Sequence, residues 1–377
     1  MDNLLLLAGV ILICCALFQK IFRRTGVPGL FLFIALGMLF GSDGLLHIPF
    51  DNYDFAGSLC AAALVLIIYY GGLGTNLKAA KPVLGKAVLL SSLGSFITAG
   101  LVGLFAIFVL RMETLEGMLL GAVICSTDAA SVFSILRSRK MDLRYNTASL
   151  LEVESGSNDP FSYLLTVVVL SLMQGERLSA GRIAQMLLLQ IVVGIAVGAA
   201  ISFVTVRLLR LLHLKDAVLT EAVMLGFGML TYALTSLLSG NGYLAVYIAG
   251  ILIGNQTIPD KTESIRFFHS LTGLMQMLLF FMLGLLAYPS KLTSVAGRPS
   301  CWQSFLLLPQ GRLPPSFCCP RFGARRARSC SYPLPVCAAP PPLRSPSWQS
   351  AGPEICLTIC STRFSSSSCF PFWFRGH

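Results

Sequence analysis

Apolar residues in this chain come in runs long enough to cross a hydrocarbon core, which takes about 20 of them, and such runs recur from Leu4 to Tyr288. The hydropathy predicts ten spanning helices over 4–22, 28–46, 55–73, 87–110, 117–136, 146–173, 183–206, 218–238, 240–256 and 267–288. The first run follows only Met1 and Asp2, and its positive flank (Lys20, Arg23, Arg24) comes after the apolar stretch. It therefore reads as a retained helix, without the basic leading region of a cleaved signal peptide.

The loops set the orientation. With the N-terminus outside, the inside loops hold most of the basic residues, among them Lys78, Lys81, Lys86, Arg137, Arg139, Lys140, Arg207 and Arg210. The outside loops hold only Arg111, Arg177, Arg182 and Lys291. This is the positive-inside pattern, and it supports the span count, because a false or missed span would scramble the alternation.

Composition agrees with a lipid environment: 55% of residues are hydrophobic, 12% are charged, and the mean hydropathy is +0.75. The formal charge of +11 invites a nucleic-acid reading, but residues 1–297 carry 19 basic and 16 acidic groups, so most of the excess lies beyond them. The membrane part is nearly balanced and offers no support for nucleic-acid binding.

Near residue 298 the character of the chain changes. Eight of the twelve cysteines and thirteen of the nineteen prolines fall in 298–377, and no helical or strand period survives there. The cysteine spacings (Cys318 next to Cys319, Cys356 four before Cys360) match no tetrahedral zinc pattern. Two readings remain for this Pro/Ser/Cys/Arg-rich segment: a disordered low-complexity tail, or a stretch translated in the wrong frame. The abruptness of the shift favours the second. The expected organisation is thus a membrane domain over 1–297 and an aberrant tail over 298–377.

An ionisable group inside a spanning helix costs several kcal/mol, about 2.5 at the least, so each one demands a reason. They are few: Asp128 in the fifth run, Glu152, Glu154 and Asp159 in the sixth, and Glu221 near the start of the eighth. In the fifth run Ser126, Thr127 and Asp128 interrupt the apolar stretch with side chains that compete for backbone hydrogen bonds. A helix broken around Asp128 is expected, its exposed carbonyls lining a cavity or coordinating an ion.

The sixth run packs Glu152, Glu154, Ser155, Ser157, Asn158 and Asp159 into eight residues and follows them with Pro160. Proline has no amide proton, so the carbonyl of Gly156 loses its helical donor. Asp159 and Ser155, four apart, share a face. A carboxylate, a hydroxyl and a loosened carbonyl thus come together, the oxygen ligands that hard monovalent cations require. Glu152 reads as a partner of basic residues or of the helix dipole, and Glu154 as one half of an internal ion pair. Glu221, close to Lys215 and Asp216, reads as interfacial. The glycines of YYGGLGTNLK end the third helix and form no phosphate loop. His269 reads as structural. No nucleophile with its base is recognisable, so the chain reads as a transporter and not an enzyme, and no cofactor is called for.

The segments CSTDAASVF (125–133) and EVESGSNDP (152–160) closely resemble the NhaP-type cation:proton antiporters of bacteria, in particular the group called cell volume regulation protein A. TGVPGLFLFIALGMLFGSDG (25–44) and SILRSRKMDLRYNTASLLE (134–152) look like the same group, and the resemblance covers about 1–297. It implies an all-α polytopic fold with inverted repeats, thirteen helices in the intact family protein, a homodimer in the bacterial inner membrane, and a core in which two broken helices cross beside the aspartate helix. It further implies that Asp159 carries ion and proton, with Asn158 as companion. Asp128, Ser155 and the Thr127 carbonyl would complete the cation shell, and Glu154 would pair with an arginine of a later helix. Asn at 158 is similar to the electroneutral branch. The last three helices, the second broken helix, that arginine and a cytosolic domain are not recognisable after Gly297, so the antiporter fold is expected to be incomplete here and this polypeptide inactive or misfolded.

The implied activity is exchange of K+ or Na+ for protons at one carboxylate that faces the two sides alternately. Three rivals stand beside it: a cation channel with several weak sites, a proton-coupled carrier of organic solutes, and a nonfunctional truncated product. The solute carrier would call for an aromatic or arginine cluster at the midplane, and none is visible.

Overall fold

The computed structural model describes residues 2–22, 29–44, 47, 50, 52–126, 147–175, 179–212, 216–258 and 261–287. Among these residues the chain is helical, without strands. In order, the helices are α1 (Asp2–Phe22), α2 (Gly29–Phe40), α3 (Tyr53–Gly74), the short α4 (Leu77–Ala80), α5 (Leu84–Leu89), α6 (Ser95–Phe108), α7 (Thr114–Ile124), α8 (Thr147–Met173), α9 (Ala180–Leu212), α10 (Ala217–Leu237), α11 (Gly242–Gly254) and α12 (Lys261–Leu285). A π-helical turn, Leu90–Gly94, joins α5 to α6 in one continuous rod.

Every predicted run contains a helix, but the lengths differ. Five helices are long and apolar enough to cross a membrane: Tyr53–Gly74, Leu84–Phe108, Gly181–Leu212, Ala217–Leu237 and Lys261–Leu285. α2, α7 and α11 stop at 12, 11 and 13 residues, about 18 Å of helix against a core of roughly 30 Å. Gly41 to Gly44 turns the chain after α2, and Asn241 and Asn255 bracket α11. α8 has the length, 27 residues, but carries the acids of the sixth run.

Polar residues start the helices where the apolar runs begin. Asn52, Asn76, Asp216 and Asn241 each accept a hydrogen bond from an amide of the following first turn, at 3.0–3.3 Å, which satisfies donors that have no partner inside the helix. α3 ends at Gly74, as the glycine cluster implied. Asn255 then ties the end of α11 to the end of α3 and the start of α4: its Nδ2 donates to the Thr75 carbonyl at 2.8 Å and its Oδ1 accepts from the Leu77 amide at 2.9 Å.

Two groups of helices result. In one, α2 and α3 pack on α12, and α3, α9 and α10 pack on α11. Small residues allow the approach. A Cβ on Gly72 would lie 2.5 Å from the Tyr247 carbonyl, and one on Gly250 2.6 Å from the Tyr69 carbonyl, so α3 and α11 touch backbone to backbone. Around this crossing Tyr69, Met224, Val246, Ile253 and Phe268 form the larger apolar core, with Tyr69 and Phe268 edge to face at 5.4 Å. In the other group, α6 packs on α7, and α8 lies against α7, α5 and the π-helical turn. α8 also reaches α11, and so stands where the two groups meet.

Candidate functional site

The site is built where α7 ends against the middle of α8. Helical hydrogen bonding in α7 closes with the Cys125 amide on the Gly121 carbonyl at 3.1 Å, directly before the Ser-Thr-Asp interruption. Thr127 and Asp128, and with them the broken helix expected around Asp128, lie outside the described residues.

Two hydroxyls join α7 to α8. Ser162 Oγ donates to the Ala122 carbonyl at 2.7 Å, and Ser126 Oγ donates to Asp159 Oδ1. The carboxylate of Asp159 therefore faces the C-terminal end of α7, where carbonyls without helical donors and the negative end of the helix dipole converge. Such ends favour a cation. Asp159 is half-buried, flanked by the fully buried Asn158 and by Pro160.

α8 runs through Pro160 without ending, so the proline removes one hydrogen bond from within the helix. Ser155 lies buried one turn before Asp159. Asn158 Nδ2 reaches Glu154 Oε1 on its own helix at 3.4 Å, so the structure brings Glu154 to Asn158. Ser157 turns away and donates to the Val153 carbonyl at 2.6 Å.

Thus Asp159, Asn158, Ser155 and Glu154 occupy two adjacent turns of one helix. Ser126, which the sequence marked as part of an interruption but not as a ligand, hydrogen-bonds to the carboxylate. Its signal was present in the Ser-Thr-Asp triplet. Asn241 was not singled out at all, yet it is 1% exposed and its Nδ2 donates to the Pro160 carbonyl at 2.9 Å. The turn sequence Ser-Gly-Asn-Gly before an apolar run marks it as a helix cap and says nothing of α8. His269 lies away from the site on α12, its Nδ1 3.1 Å from the Tyr70 hydroxyl. Among the described residues no group of three or more His, Cys, Asp or Glu could hold a metal ion.

The comparisons with known proteins point one way. The chain is 36% identical over 288 residues to a K(+)/H(+) antiporter, NhaP, of Alkalimonas amylolytica, covering 76% of this chain and 50% of that protein. It is 31% identical over 296 residues to the K(+)/H(+) antiporter NhaP2 of Shewanella oneidensis, covering 78% of this chain and 51% of that one. The chain thus spans about half the length of these curated relatives. Its fold is similar to the solved structure of the sodium proton antiporter MjNhaP1 of Methanocaldococcus jannaschii at pH 8, with a TM-score of 0.73, 20% identity, and coverage of 99% of this chain and 95% of that one. Residues 9–323 match the family described as sodium/hydrogen exchanger, transmembrane. With that match, and an all-helical fold of the same architecture, the chain belongs to the sodium/hydrogen exchanger family of membrane transporters.

Proposed function

We propose that this chain carries the exchange site of a monovalent cation:proton antiporter, taking K+ or Na+ in one direction and H+ in the other through Asp159. The observation that carries the reading is the Ser126 hydrogen bond to Asp159, in which the carboxylate meets the C-terminal end of a short helix within a bundle of largely apolar helices. An ionised carboxylate left empty in such surroundings is costly, so the site moves between the two sides occupied, by a proton or by a cation. The two compete for the same oxygens, which couples the fluxes. Asp128, the Thr127 carbonyl and Ser155 are proposed as further ligands, Asn158 as the neighbour that orients the site, and Glu154 as the second acid held in an internal pair.

The family membership supports a multi-pass protein of the bacterial inner membrane. The loop charges favour an N-terminus on the outer side, and the family fold favours a homodimer. Residues 1–297 are proposed as the membrane unit.

Asp159→Asn tests the reading. In everted membrane vesicles the protein with the segment after Gly297 read in its corrected frame should exchange K+ or Na+ for protons, more weakly as added acid lets protons outcompete the cation. The variant should show no exchange above vesicles lacking the protein. Cation-driven proton movement that persists in Asp159→Asn rejects the assignment. Cation flux without a counterflow of protons would favour the channel.

A further inference from the structure

The turn that bears Asp159 lacks one helical hydrogen bond. Pro160 has no N–H to give, and its ring crowds the carbonyl four residues back, so the segment 156–160 is held by fewer of its own bonds than the rest of the helix. A site that discriminates ions needs its ligands held within about 0.5 Å. The missing support comes from α11, at both ends of that turn.

At one end, Asn241 caps α11. Its Oδ1 accepts from the Leu244 amide at 3.1 Å, its own amide donates to the Gln190 carbonyl of α9 at 3.1 Å, and its Nδ2 donates to the Pro160 carbonyl at 2.9 Å. The cap fixes which end of the side-chain amide is oxygen, so the nitrogen must face α8. At the other end, Tyr247 lies against Gly156. A Cβ there would stand 2.5 Å from the phenol oxygen and 2.6 Å from two ring carbons, so only glycine admits the ring. Tyr247 is buried, and α11 runs antiparallel to α8, which brings residue 241 to 160 and residue 247 to 156.

We infer that Asn241 and Tyr247 are positioning residues of the ion site: together they clamp the proline-weakened turn of α8 and so set the affinity of Asp159 for its cation. The inference rests on the proposed role of Asp159. The two contacts fall on residues 156 and 160 of α8, at the backbone that carries Asp159.

The experiment measures radioactive rubidium and sodium binding to the purified full chain in lipid nanodiscs, with affinity and number of sites determined separately, alongside the melting temperature. Asn241→Ser keeps an oxygen to cap α11 but cannot reach Pro160. Tyr247→Leu takes the ring off Gly156 and keeps an apolar side chain there. Asn241→Ser should weaken binding of the preferred ion about fivefold, the worth of one neutral hydrogen bond, with the number of sites unchanged. Tyr247→Leu should weaken it as well, and the two together more than either, whereas Tyr247→Phe, which keeps the ring, should bind as the unsubstituted protein does. A merely structural role would lower the melting temperature and the number of sites together, leaving the affinity of the surviving sites intact, and that result overturns the inference. If Asn241→Ser does not yield a monodisperse protein, Tyr247→Leu alone decides, and unchanged affinity in it overturns the clamp. Asp159→Asn is measured in parallel. Binding that survives in that variant, or is absent from the unsubstituted chain, rejects the reading of Asp159 itself, whereas loss there with unchanged affinity in Asn241→Ser and Tyr247→Leu rejects only the clamp.

Discussion

The crossing of α3 with α11 and the contact of α7 with α8 lie in the same bundle and are held by opposite means. At the first, Gly72 and Gly250 bring two backbones together, and the stabilisation is dispersion over a tightly filled surface. At the second, hydroxyls of Ser126 and Ser162 bridge the helices to a carboxylate and a carbonyl. Dispersion contacts are numerous and individually weak, so such a crossing has one best geometry. A hydroxyl can exchange one partner for another at small cost. The difference separates a scaffold from a site: an ion or a proton can enter the α7–α8 contact by taking over hydrogen bonds, and nothing can enter between α3 and α11.

Substitutions can break this contrast. The largest effect on folding is expected at the glycine crossing, where Gly250→Leu forces a side chain into the Tyr69 carbonyl and should cost about 3 kcal/mol or more. A fall in melting temperature and in the yield of monodisperse protein would register it. Were Gly250→Leu to fold normally, α3 and α11 would not be the rigid pair described.

Ser126→Ala should do the reverse, leaving the melting temperature close to that of the unsubstituted protein while changing the ion site. The hydroxyl donates to the charged form of Asp159, an interaction worth about 1.5 kcal/mol or more. Its loss takes a donor away from the carboxylate, so exchange at low cation concentration should fall about tenfold. Unchanged exchange in vesicle assays would remove Ser126 from the site. The smallest effect is expected at Ser157, whose hydroxyl is spent on its own helix at the Val153 carbonyl. Ser157→Ala should stay within about 0.5 kcal/mol in stability and leave exchange unaltered, although it lies two residues from Asp159. Reduced exchange in that variant would show that polarity of the whole segment matters more than contact with the carboxylate.

Much of the helix order was legible because hydropathy is local and additive: a run of apolar residues forms a helix in lipid whatever it later touches. The caps Asn52, Asp216 and Asn241 went unread, although each bonds within its own first turn. Span length was less legible. Among the described residues the runs at 28–46 and 240–256 contain helices of 12 and 13 residues, because turns and caps divide stretches that a hydropathy window averages together.

The sequence by itself determined that this is a helical membrane protein, that its costly polar residues gather in the fifth and sixth runs, and that Asp159 is the acid most in need of an explanation. Each of those follows from the price of putting a polar group into lipid, which depends on residue type and not on partners. The tertiary structure alone decided who the partners are. Ser126 is 33 residues from Asp159, and Asn241 is 81 from Pro160. Contacts between helices depend on rotation about each axis and on where glycines let backbones close, and no local period in the chain encodes either.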